Sequence, residues 1–157
     1  MQTLTSEGQA FSALVLEIFR INGAILDAGD RLTRPVGLSS ARWQVLGVVE
    51  HGPVAVPHVA RTMGLARQSV QQTADALAQE GFITFEENPH HRRSKLMRIT
   101  AKGQDALAYV ARQHAAWANQ LGAAHSAERL HDAAALLHTL CESLALAPLP
   151  ESEPAGR

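Results

Sequence analysis

The sequence predicts a mainly α protein with one small β-hairpin, and three observations within Val56 to Thr100 carry that reading. In VPHVARTMG the apolar side chains Val56, Val59, Ala60 and Met63 take the three and four spacing of one buried helix face. Gly64 stops that helix, because glycine enters a left-handed cap without steric cost. Next, LARQSVQQTADALAQEG reads as a second helix from about Ala66 to Glu80. Val70, Ala74 and Leu77 point inward, and Arg67, Gln68, Gln71, Gln72, Asp75 and Gln79 point outward. Finally, FITF and LMRI flank the basic loop NPHHRRS, which is a strand, a tip and a returning strand.

Two short helices joined by a glycine turn, then a hairpin with Arg92 and Arg93 at its tip, make a winged helix-turn-helix. The second helix has the size to enter a DNA major groove. Arginine and glutamine each form two parallel hydrogen bonds to guanine and adenine edges respectively. Glutamine is also a good helix former wherever it sits, so Gln68, Gln71 and Gln72 alone would fit a solvated face equally well. The order of elements and the basic tip favour DNA.

From about Leu38 to Gly103 the chain resembles the multiple-antibiotic-resistance regulator (MarR) family of winged-helix transcription factors. LSSARWQVLGVVEHGPVAVPHVARTMGLARQSVQQTADALAQEGFI is similar to that family's second, third and fourth helices. HRRSKLMRITAKG is similar to its wing signature, an Asp-x-Arg step, a strand ending in Leu-Thr and a helix opening at Gly. Arg93 holds the Arg place and Ile99 and Thr100 the Leu-Thr pair, whereas His91 stands where the family has aspartate. On this reading Arg67, Gln68, Gln71 and Gln72 face bases and Ser69 lies near a phosphate. Arg92, Arg93 and Lys95 on the wing and Arg61 on the preceding helix complete the candidate DNA contacts.

The first helix is expected from Glu7 to about Arg31, with Ser6 and Gln9 as a capping box and a bend at Asn22 and Gly23. Pro35 and Gly37 break it, and Ser39 or Ser40 caps a helix carrying Trp43, Leu46 and Val49. Val54 and Ala55 supply a very short strand against the wing. Thr100 caps a long helix with Leu107, Val110, His114, Trp117 and Leu121 at heptad steps. After Gly122, Ser126 caps another with Leu130, Ala133, Leu137, Leu140 and Leu144 at the same steps. Such seams either fold back on the first helix or need a partner, and the resemblance implies a symmetric homodimer through the terminal helices. The expected organisation is one domain over 1–147, with the winged helix at about 39–100 and dimerisation helices at about 6–34 and 101–146. The proline-rich residues 148–157 are expected to form a disordered tail.

Composition narrows the function classes. A hydrophobic share of 46% excludes general disorder, and a formal net charge of −1 excludes a purely electrostatic nucleic-acid binder. From His58 to Arg98, however, six cations face four acids, a net +2 that suits a specific dimeric binder. One cysteine, Cys141, fits a reducing compartment, and its place beside Leu140 predicts a buried, inert thiol. No basic secretory start is present and no apolar run looks long enough for a bilayer, so a cytoplasmic protein is expected.

No catalytic elbow, phosphate-cradling glycine loop or apolar pair of carboxylates occurs, so no enzyme is expected. The pairs His51 and His58, and His131 and His138, are seven residues apart, about 10 Å along a helix, too far for one ion. Neither a metal nor a cofactor is expected. His114 reads as a satisfied interface histidine or a polar anchor for a ligand, and Trp43 as core or as a wall of the effector pocket that the resemblance implies. Small phenols and aromatic acids are the effectors the family suggests. Two functions remain, a ligand-released repressor on a pseudo-palindromic operator and a winged-helix module that binds only proteins. The amide-rich face favours the first, since a protein-binding face would show exposed aromatics there.

Overall fold

In the computed structural model, residues 3–91 and 93–147 are described. Arg92, predicted as a DNA contact, and residues 148–157, expected as a tail, lie outside them. The chain divides into two compact units, one ending at His114 and the other starting at Ala115.

The first unit opens with helix α1, Ser6–Thr33. Its cap is Thr5 rather than Ser6: the Gly8 N–H donates to Thr5 Oγ1 at 3.2 Å. Glu7 in the first turn has its carboxyl held below the usual range by the backbone N–H there, then by the Thr5 and Ser6 hydroxyls. The helix runs through Asn22 and Gly23 unbroken. Extending a formed helix costs far less than starting one, so two weak formers in mid-helix need not end it. Against the expectation that no apolar run would suit a bilayer, Ser6–Val36 contains an 18-residue window of mean hydropathy 1.3, none of it buried.

A 3₁₀ turn at Arg34–Val36 ends at Gly37, whose φ of 76° only glycine adopts without cost. Helix α2, Ser40–Val49, is capped by Ser39, whose side chain accepts from the Arg42 N–H. Strand β1, Val54–Ala55, leads directly into α3, Val56–Met63, which closes on a left-handed Gly64. Helix α4, Arg67–Gln79, is followed by strands β2, Ile83–Glu86, and β3, Leu96–Ile99. The sheet is antiparallel in the order β1, β3, β2, with Met97 facing Val54 on one side and Phe85 on the other.

The core gathers Val45, Leu46 and Val49 from α2, Val59 from α3, Val70, Ala74 and Leu77 from α4, and Ile83 and Met97 from the sheet. Each is essentially inaccessible to solvent. Cutting one back, as in Leu77→Ala, would remove transfer energy and leave a cavity at about 2 to 5 kcal/mol.

Helix α5, Ala101–Gly122, starts at Thr100, whose Oγ1 accepts from the Gly103 N–H at 3.2 Å. Leu107 and Val110, expected at an intersubunit seam, are 5% and 0% exposed and lie in the first unit. The first turns of that seam are thus spent on the chain's own interior. In the second unit, helix α6, Ala127–Leu146, is capped by Ser126 and has no buried residue. Leu130, Leu136, Leu137 and Leu144 along it are all exposed. Cys141 is exposed too, which corrects the expectation of a buried thiol: among the described residues of α6 none is buried.

Candidate nucleic-acid interface

The candidate reading face is built by α4. Burial of Val70, Ala74 and Leu77 on one side turns Arg67, Gln68, Ser69, Gln71, Gln72 and Asp75 outward, all exposed. Ala66, in extended conformation, precedes the first turn and provides no side-chain cap, so the reading helix begins with uncapped backbone N–H groups. Its far end is fixed by a two-point clamp. Arg42 of α2 donates from Nη1 and Nη2 to the two Glu80 carboxylate oxygens at 3.0 and 2.6 Å. Lys102 of α5 donates to the Glu80 carbonyl at 2.6 Å while its ammonium lies 4.3 Å from the Phe82 ring centre. Half-exposed ion pairs contribute only about 0 to 1 kcal/mol each, so the clamp serves position more than stability.

The wing comes round to the same side. Its tip is shaped by Asn88, whose carboxamide oxygen accepts from the His90 N–H at 3.0 Å and whose carbonyl accepts from the His91 N–H at 3.2 Å. The His91 carbonyl in turn accepts from the Ser94 N–H at 3.0 Å. This asparagine turn was not singled out from the sequence, although asparagine before proline is a turn signal. His91, standing at the family's aspartate position, thus orders the tip through its backbone, with its ring exposed. Lower in the hairpin, Arg98 grips Glu86 across the strands at 2.7 and 3.0 Å. That hydrogen bonding raises the Arg98 guanidinium further above its usual range.

Arg67 and Gln71 of α4 and Arg93 and Lys95 of the wing line one cleft, floored by Val56, Pro57 and Phe85. Arg61 joins Arg67 and Arg93 around an adjoining cleft that also takes in His58 and His91. Gln68, Ser69 and Gln72 lie outside both, on the open face of α4. Of the four acids counted in this segment, Glu80 is neutralised by Arg42 from outside it, whereas the Glu86 and Arg98 pair removes one charge of each sign, so the face is more cationic by one charge than the tally implied.

Trp43 and His114, the candidate effector residues, meet edge to face with ring centres 5.4 Å apart, both half-buried. Among the described residues no three His, Cys, Asp or Glu side chains gather to hold a metal ion.

Residues 36–94, which hold α2 to the wing, match the sequence model of the MarR family. Over that segment the chain is similar to the MarR family. Uncharacterized proteins of Mycobacterium tuberculosis and Mycobacterium bovis are 36% identical to it over 94 residues, 60% of this chain. That stretch is 66% of their length, just under two thirds. Among solved structures, the MarR family transcriptional regulator AbsC of Streptomyces coelicolor aligns with a TM-score of 0.77 at 16% identity, covering 94% of this chain and all of AbsC. The repressor CouR bound to a 23-mer DNA duplex aligns with a TM-score of 0.74 at 22% identity, covering 88% of this chain and 99% of CouR. CouR of Rhodococcus jostii bound to p-coumaroyl-CoA aligns at 0.71 with 21% identity, over 88% and 95%. At these identities the likeness is one of fold, a winged helix-turn-helix.

Proposed function

We propose that this protein is a MarR-type regulator, a cytoplasmic homodimeric repressor that reads a pseudo-palindromic operator in double-stranded DNA and is released by a small phenolic or aromatic-acid effector. The observation that carries the reading is the shared cleft: Arg67 and Gln71 of α4 border it from one side, Arg93 and Lys95 of the wing from the other. A duplex that takes α4 in its major groove therefore meets wing cations at the adjacent backbone and minor groove. The structure of CouR on DNA supports a fold of this kind working as a DNA-bound repressor.

The dimer is supported by apolar surface without cover. Leu16, Phe19 and Ile21 on α1 are 58%, 68% and 57% exposed, and α6 offers its leucines separately. The same surface on α1 would suit a bilayer by length and hydropathy, but Glu17 and Arg20 pair in the middle of that helix at 2.6 Å. Charges at mid-bilayer are costly, which favours a protein partner. The effector class rests on the aromatic edge of Trp43 and His114 and on the p-coumaroyl-CoA complex of CouR.

Selection of bound sequences from random duplex DNA tests the reading. An enriched inverted repeat whose affinity falls steeply with added salt is the expected result. Absence of enrichment, or salt-independent binding, would leave the winged helix as a protein-binding module.

A further inference from the structure

We infer that Asp75 is a positioning residue for base recognition: by holding the Gln71 amide in one orientation it makes Gln71 selective for adenine. The inference rests on the DNA-reading function proposed above. Gln71 Nε2 donates to Asp75 Oδ1 at 2.8 Å, one turn along the exposed face of α4, and both residues border the cleft with Arg67 and Arg93.

The two ends of a carboxamide have nearly the same shape, and an unrestrained glutamine turns about its last bond to offer either order of donor and acceptor. A carboxylate only accepts, so the atom facing Asp75 is the nitrogen and the carbonyl oxygen is directed away. The inferred arrangement engages the Nε2 hydrogen anti to the carbonyl oxygen and leaves the other beside that oxygen. That remaining donor and acceptor are the pair that matches adenine, whose N7 accepts and whose N6 amino group donates. Guanine presents two acceptors on the same edge and would meet the fixed carbonyl oxygen with a lone pair.

Asp75 also places a negative charge among the cations that face DNA, which opposes binding to any duplex. The two effects have opposite signs. Asp75 lowers general affinity while raising discrimination, and this separates a positioning role from a merely electrostatic or structural one.

Asp75→Asn keeps the shape, removes the charge and lets residue 75 either donate or accept. The preference for the selected base over its competitors at one position per half-site is expected to fall on the order of tenfold, the range of one bidentate contact. Affinity for random duplex should hold or rise. In a Gln71→Ala background the same change should leave base preference where it is. An equal gain on every duplex would reduce Asp75 to a repelling charge, and a uniform loss accompanied by a lowered melting temperature would make it structural. Either overturns the inference. If the parent chain selects no sequence, the DNA-reading function itself fails, whatever Asp75 does.

Discussion

Gln68 and Gln71 stand three residues apart on the exposed side of a helix whose opposite side is sealed into the core. Each alanine variant is expected to cost about 1 to 3 kcal/mol at particular base positions and to leave non-specific binding nearly unchanged. Titrations against selected and random duplexes decide this, and equal losses on both would end the base-reading role. Arg93 faces the same cleft from the wing, where a narrow A·T-rich minor groove concentrates negative potential. Arg93→Ala should weaken binding and erase a preference for flanking A·T pairs; survival of that preference would show that the wing does not read shape. These residues were legible in the sequence because a helix period separates inner from outer side chains without knowledge of anything else. The partners were less so. Gln71 and Asp75 are four apart on one helix and could have been paired from spacing alone. Arg42 and Glu80 are 38 residues apart and meet only because α2 and α4 pack together, so no local pattern contains them.

At the level of elements, the hinge of the design is the start of α5. A Cβ on Gly103 would collide with the Phe82 carbonyl oxygen and lie 2.7 Å from Ile99 Cγ1, so backbone and sheet leave room for hydrogen alone. Gly103→Ala should therefore destabilise the chain by more than about 1 kcal/mol despite the better helix propensity of alanine. Urea denaturation measures it, and a neutral or stabilising effect would mean that α5 shifts off the sheet without cost. The caps at Ser39, Thr100 and Ser126 and the glycine stop at Gly64 were all legible, since each is local chemistry. The division of the α5 seam was not. Heptad spacing marks an apolar stripe, and the same stripe serves a monomer's core at Leu107 and Val110 or another surface farther on. Exposure of Cys141 escaped for the same reason, because a leucine-rich neighbourhood tells nothing about what covers it.

For the whole molecule, the uncovered leucines of α6 make the strongest demand. Leu137 is 41% exposed and Leu140 half-buried within the chain, on a helix that buries nothing by itself. Replacing both by glutamate should give monomers or insoluble chains, since each desolvated charge costs several kcal/mol in an apolar seam. Light scattering of the parent chain at micromolar concentration should return the mass of two chains. A mass of one would remove the homodimer and, with it, the expectation of paired half-sites.

The two-residue strand β1 sets a gradient of amide protection along the wing. Only at Leu96 and Met97 is β3 flanked on both sides, by β1 and by β2, whereas at the tip Asn88, His90, His91 and Ser94 are joined by turn contacts. Deuterium should therefore enter the tip amides within moments and those at the base of the hairpin far more slowly, because opening the base requires parting three strands. Operator DNA should slow the tip and leave the base nearly as it was, so mass spectrometry of a single peptic peptide would register occupancy without any label on the duplex.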